Sequence, residues 1–259
     1  MNKNIKEKIN TLWVNSEVTA LLQEFLYQLR SILLEKFIGL YVGGSIANSS
    51  FNPNTSDIDC YIVTSAHLCE NTITQIEIMH NQLYSSQLPY AKKVEASYIS
   101  QIELWDFNPE KSRPYFNEGK LYQAPYNSNF IIELFMLRNK GFAISGPPIK
   151  NLIQEISTQD LQLAIKRNLY DYWQVMLFDL VKLSRSDYQV FAILTMCRTL
   201  YSIEKGDIAS KIGAAKWVID KYNIWEDLIT KALAWEPDLE LNKLNETQQF
   251  IKYVLDKNL

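Results

Sequence analysis

The 259-residue chain is poor in the residues that secreted and metal-stabilised proteins rely on. It carries three cysteines, Cys60, Cys69 and Cys197, with no Cys-x-x-Cys pair, and only two histidines, His67 and His80. A zinc site is therefore short of its usual ligands, and thiols without an evident pairing pattern fit a reducing compartment. Eight glycines and eight prolines are too few for a collagen-like or low-complexity chain. No apolar run approaches the ~18 residues of a membrane span, and the opening Met1–Lys8 lacks the apolar stretch of a secretory signal. A cytoplasmic protein is expected. A net charge of −3, with acids and bases balanced in both halves, does not suit a protein that grips phosphate backbones or anionic lipid. No nucleic-acid or membrane partner is expected.

What is present is an ordinary globular composition, 47% hydrophobic and 21% charged, in a chain long enough for one large or two modest domains. Ser16 precedes Val18, Leu21, Leu22, Phe25, Leu26, Leu29, Ile32 and Leu33, which is helical spacing behind an N-cap. Residues 37–42 read as a buried strand ending in Gly43-Gly44-Ser45. A polar loop over 48–56 contains Asn52-Pro53-Asn54, and residues 57–63 form a second strand. Residues 71–87 are expected to be helical and 93–99 alternate like a third strand. Beyond Gly146-Pro147-Pro148 the texture changes. Apolar residues at 161, 165, 169, 173, 176, 180 and 183 step by three or four, and the pattern returns at 190–201 and 212–219. The expected fold is α+β: an N-terminal domain with a small mixed sheet and flanking helices over residues 1–148, then an all-helical bundle over 149–259.

Chemistry concentrates in Val42-Gly43-Gly44-Ser45, eleven residues, and Asp57-Ile58-Asp59. Residues i and i+2 of a strand share a face, so Asp57 and Asp59 present two carboxylates together. Adjacent carboxylates repel unless a cation sits between them, and hard oxygen ligands suit Mg²⁺, which binds one or two carboxylates plus substrate phosphates. A Gly-Gly-Ser turn after a strand brings backbone N–H groups and a hydroxyl toward phosphate oxygens. A third carboxylate, Glu95, lies between apolar neighbours, where a charge is paired or functional. Together these point to nucleotide chemistry.

Gly44-Ser45-x11-Asp57-x-Asp59 resembles the signature of the DNA polymerase β-like nucleotidyltransferase superfamily. Further motifs narrow the likeness to the aminoglycoside adenylyltransferases that modify streptomycin and spectinomycin. They are Val94-Glu95 followed by Ile99, Trp105, Pro109, Arg113, Phe116 and Glu118; Phe130 through Pro147; and Leu194-Thr195-Met196-Cys197-Arg198 with Gly206 through Lys211 and Ala214-Ala215-Lys216-Trp217. The resemblance covers roughly residues 37–220. It implies a Mg²⁺-dependent enzyme that transfers AMP from ATP to a hydroxyl of a small cationic acceptor, spectinomycin or streptomycin, and acts as a monomer. It further implies that Gly43, Gly44 and Ser45 hold the triphosphate, with Ser56 a further nucleotide contact. Asp57, Asp59 and Glu95 would form the metal site, with Glu95 also the catalytic base. Arg198 and Lys211 of the helical domain would reach the nucleotide phosphates.

The acceptor side departs from the pattern. Where the family carries a Gly-Asp-Glu-Arg-Asn run that helps bind the cationic drug, this chain reads Asp187-Tyr188-Gln189-Val190-Phe191. Asp187 is the expected substrate-binding acid; the second acid is replaced by Gln189, and Lys92-Lys93 stand just before Glu95. Two other readings stay open at this point: adenylyl transfer to a different metabolite or a protein, and a nucleotide- or partner-binding module without turnover.

Overall fold

The computed structural model describes residues 15–106 and 108–258; the opening segment examined for a secretory signal lies outside the described residues. The chain divides into two compact units, Met1–Glu155 and Ile156–Leu259. Among the described residues no helix is long and apolar enough to cross a membrane.

The first unit is built on a six-stranded sheet in the order β5-β4-β3-β2-β1-β6. Its strands are β1 (Phe37–Val42), β2 (Ile58–Thr64), β3 (Val94–Ser100), β4 (Ser112–Asn117), β5 (Lys120–Pro125) and β6 (Phe142–Ser145). Only β2 and β3 run parallel, a pairing that needs a crossover connection. The helix α2 (Glu70–Tyr84) lies within that connection. The first helix, α1 (Ser16–Leu33), is capped by Asn15, whose side chain accepts from the Glu17 N–H. It buries Val18, Leu21, Leu22, Phe25, Leu26, Leu29 and Leu33 against one face of the sheet, the stripe its spacing requires.

That sheet face is apolar: Leu40 and Val42, Ile58, Cys60 and Ile62, Val94, Ala96 and Tyr98, and Phe116 share one core with α1 and α2. Strand alternation therefore sends the intervening residues to the opposite face. There Tyr41, Tyr61, Ser97, Tyr115 and Tyr122 form a row across five strands, each a register partner of the next. A neighbouring row holds Asp59 and Glu95. One sheet thus separates a hydrophobic core from a polar face.

The structure extends the sheet beyond the three strands expected from the sequence. β4 and β5 form a hairpin whose turn residues Glu118 and Gly119 have φ of 49° and 77°, the paired left-handed geometry of a type I′ turn. Its signals were muted, because β4 contains Pro114 and a buried arginine, β5 is largely exposed, and β6 is only four residues long. Helix α3 (Ser128–Lys140) connects β5 to β6.

The second unit is helical, comprising α4 (Thr158–Asn168), α5 (Ser186–Lys205), α6 (Lys211–Lys221), α7 (Glu226–Leu233) and α8 (Leu244–Asn258). α5 is the central element, with α4, α6, α7 and α8 packed on it. α5 ends at Gly206, which takes the left-handed φ of 66° that suits glycine after a helix. A π-turn over Leu169–Trp173 follows α4 and sends Trp173 into the core. The neighbouring Tyr172 is only partly covered, and its hydroxyl meets that of Tyr188 at 2.5 Å.

Candidate active site

In the first unit, the crossover places Asp59 of β2 opposite Glu95 of β3 in parallel register. Strand pairing begins at Ile58↔Val94, so Asp57 stands just ahead of β2 rather than inside it, exposed at its rim. At the end of β1, Gly44 opens a short helical turn, Gly44–Ala47. Its φ of +56° is left-handed, and a Cβ built on it would lie 1.6 Å from Asp59 Oδ2. The Asp59 carboxylate is therefore lodged against the glycine backbone. Gly44→Ala is expected to cost about 1–2 kcal/mol for the left-handed backbone alone and to expel Asp59 from this seat. Thermal unfolding checks it, since a melting point equal to the parent's would contradict the packing described.

The carboxylates feel one another. Burial, then the charge of Asp59, pushes the Glu95 carboxyl up to about 7; a hydrogen bond from Tyr115 pulls the other way, and Asp57 and Glu133 add smaller upward pushes. The Tyr115 hydroxyl donates to Glu95 Oε2 at 2.7 Å. Behind it, Arg113 is buried. Its Nε donates to Ser97 Oγ at 2.6 Å, Nη1 to the Pro125 carbonyl at 3.0 Å and Nη2 to Glu133 Oε2 at 2.9 Å. The guanidinium also lies 4.4 Å from the Phe130 ring centre and 5.3 Å from that of Tyr126. Asn129 Nδ2 donates to the other Glu133 oxygen at 2.6 Å, so Glu133 is committed within the fold on both sides.

One feature suits a phosphate. The Ser45 Oγ is buried and has no hydrogen-bond partner among the described residues, although buried hydroxyls are ordinarily satisfied. The Ser45 carbonyl accepts from the Ser50 N–H at 2.9 Å, which fixes the turn. The Gly43 N–H, by contrast, donates to the Asp59 carbonyl at 3.0 Å and is taken by the sheet. Ser56 Oγ accepts from the Asn52 N–H at 2.9 Å and shapes the loop. Lys93, a cation beside the site in the sequence, ties that same loop down by donating to the Pro53 and Asn54 carbonyls at 2.7 and 2.8 Å.

Among the described residues no three carboxylate, histidine or cysteine side chains form a ready metal cage. The donor set nevertheless fits a hard divalent cation: oxygen ligands only, with a carboxylate pair whose mutual repulsion a cation would relieve.

The other residues singled out in the sequence lie in the helical unit. Arg198 is half-buried on α5, and Lys211 is exposed at the first turn of α6, its ammonium 5.9 Å from the Phe191 ring centre. Asp187 is exposed and paired with Arg185, whose Nε donates at 3.1 Å; that hydrogen bond holds its carboxyl below the usual range. Gln189 is buried. Its Nε2 donates to the Leu183 carbonyl at 3.0 Å and its Oε1 accepts from the Lys243 N–H at 2.8 Å, tying the start of α5 to the segment before α8. It is a structural tie where the family pattern has an acid.

Two family models match this chain. The nucleotidyltransferase domain matches residues 26–116, and the C-terminal domain of aminoglycoside adenylyltransferases matches residues 151–257. The chain belongs to the aminoglycoside adenylyltransferase family of nucleotidyltransferases. Within that family it is similar to spectinomycin 9-adenylyltransferase of Staphylococcus aureus, 24% identical over 193 residues covering 70% of each chain. It is also similar to aminoglycoside (3'') (9) adenylyltransferase of Escherichia coli, 23% identical over 93% of this chain and 95% of the relative. The fold matches that of a family member crystallised with ATP and spectinomycin, the spectinomycin adenyltransferase AAD(9) from Enterococcus faecialis. The TM-score is 0.73 at 23% identity, covering 93% of this chain and 98% of that one.

Sequence reading missed the roles of Arg113 and Tyr115. Arg113 served only as a spacing mark, yet a charged residue next to Pro114 in a strand-like run, with Tyr115 and Phe116 following, was the available sign of a buried, paired cation.

Proposed function

We propose that this enzyme transfers AMP from Mg-ATP to a hydroxyl of an aminoglycoside-type molecule, spectinomycin or streptomycin. The observation that carries the proposal is the in-register pair Asp59 and Glu95, with Asp59 lodged on Gly44 and the next residue, Ser45, carrying a buried hydroxyl that has no partner among the described residues. In this reading residues 1–148 form the catalytic domain, and residues 149–259 contribute to nucleotide and acceptor binding. Asp57 and Asp59 hold Mg²⁺, which when bound neutralises phosphate charge and favours departure of pyrophosphate. Ser45 donates its hydroxyl hydrogen to a phosphate oxygen, with Gly44 keeping the turn open while the Gly43 N–H stays in the sheet. Ser56 borders the nucleotide, and Arg198 and Lys211 neutralise its phosphates. Glu95 accepts the proton of the acceptor hydroxyl as that oxygen bonds to the α-phosphorus and pyrophosphate leaves. A base so placed is worth about 10²–10⁴ in rate. Asp187 is the acceptor-side acid, and the chain works as a cytoplasmic monomer.

A second acceptor class has specific support. Gln189 is engaged in structure and Asp187 is engaged by Arg185, which leaves the cation-binding side less acidic than the family pattern. The deciding measurement is pyrophosphate release from Mg-ATP with spectinomycin, streptomycin and a wider aminoglycoside panel, with Asp57→Asn as control. Release with one drug, lost in the variant, supports the antibiotic reading. ATP-dependent stabilisation without release against any drug transfers the reading to another hydroxylated acceptor.

The Glu95 environment carries a pH signature. Its folded-state pKa is raised to about 7, above the ordinary ~4.3 of glutamate. Between those values the folded protein holds a proton that the unfolded chain has lost, so stability declines as pH rises across that window. Metal-free protein should therefore melt lower at pH 7.5 than at pH 5 through this group, and Glu95→Gln should remove that part of the slope. An unchanged slope in the variant counts against the described burial of Glu95.

A further inference from the structure

The hydroxyl of Tyr115 meets the candidate base from the adjacent antiparallel strand, and this contact has a role of its own. Its starting point is the proposed assignment of Glu95 as base. A carboxylate acting as base must keep one oxygen aimed at the proton it will take, and a glutamate has three rotatable bonds with which to lose that aim. Among the described residues Glu95 receives one hydrogen bond, from Tyr115 to Oε2 at 2.7 Å, and it falls on one oxygen of the two. Tyr115 is itself held. Its strand position opposes Ser97 on β3 and Tyr122 on β5, its ring centre is 5.6 Å from that of Tyr122, and the Arg113 guanidinium lies 5.8 Å from it. Arg113 is in turn pinned to Ser97, Pro125 and Glu133.

We propose that Tyr115 is a positioning residue for adenylyl transfer: by donating to Oε2 it fixes the Glu95 side chain and reserves Oε1 for the acceptor hydroxyl. The phenol keeps its proton, because burial and then the negative charge of Glu95 raise its pKa, so its role is to donate and not to exchange protons during the reaction.

The test is Tyr115→Phe, which keeps the ring and removes only the hydroxyl. A hydrogen bond to a charged group corresponds to roughly a tenfold to hundredfold effect, and the expected loss of that size falls on kcat, with KM for ATP and acceptor changed less than about twofold. The same substitution in a Glu95→Gln background should have almost no further effect, since two residues acting through one contact are not additive. A merely structural role would instead lower both backgrounds alike and shift the melting point. If the parent enzyme is active and Tyr115→Phe keeps its kcat, or if the loss is equal in both backgrounds, the positioning role is wrong. If the parent releases no pyrophosphate with any acceptor while binding ATP, it is the adenylyltransferase reading beneath it that fails. Unchanged circular dichroism and melting of Tyr115→Phe verify that the comparison is between folded proteins.

Discussion

Asp59→Asn is expected to abolish adenylyl transfer while leaving the protein as stable as before or more so. The side chain keeps its volume and its seat against Gly44, so packing barely changes. On the proposed reading it loses the charge that would hold a divalent cation, and a metal's stabilisation of phosphate charge in the transition state is worth several kcal/mol, about a thousandfold in rate or more. The stability side has the opposite sign. The charge of Asp59 is the second cause, after burial, that raises the Glu95 pKa, so removing it relieves repulsion in the metal-free state. The expected pair of results is pyrophosphate release at background and a melting temperature equal to or above the parent's. A variant that is inactive because it is unfolded would refute this account of the site. Such opposition between function and stability is common where like charges are gathered for a ligand.

The second large effect concerns stability alone. Arg113→Met removes the cation that Glu133 faces, together with donors to Ser97 and Pro125. With its side chain only 4% exposed, Arg113 forms a pair of the kind whose disruption leaves an uncompensated buried charge, at a cost of about 3–5 kcal/mol. Replacing both partners, Arg113→Met with Glu133→Leu, should recover most of that loss, because an apolar pair can be nearly as stable as a buried ion pair. Urea unfolding of the two variants decides it. A single variant within about 1 kcal/mol of the parent, or a double variant no better than the single, would remove the ion pair from its place in the fold.

Much of this architecture is legible in the chain itself. The stripe of α1 could be read from its helical spacing, β1 from its buried apolar run, β2 from its β-branched and aromatic content, and β3 from its alternation. Asp59 and Glu95 could be read as a pair of candidates, but not as register partners, since the parallel pairing depends on a crossover that no local signal encodes. β4, β5 and β6 escaped because an edge hairpin with Pro114, an exposed β5 and a four-residue strand offers weak periodicity. Gln189 illustrates another limit. Its place in the family pattern suggested a lost acidic contact, whereas its hydrogen bonds to the Leu183 and Ser184 carbonyls and the Lys243 N–H give it a packing task.

The crossover through α2 also bears on how the site comes into being during folding. The β4–β5 hairpin closes over two residues and can form early, whereas β2 can meet β3 only after the residues between them, α2 included, have been brought around. Pairings of such wide sequence separation carry a larger loop-closure cost and come slowly. The two carboxylates are thus expected to meet later than the strands of the β4–β5 hairpin do. On the proposed reading, a chain stalled before that event would have no assembled nucleotide site, so ATP-dependent protection should first appear once β2 has paired with β3.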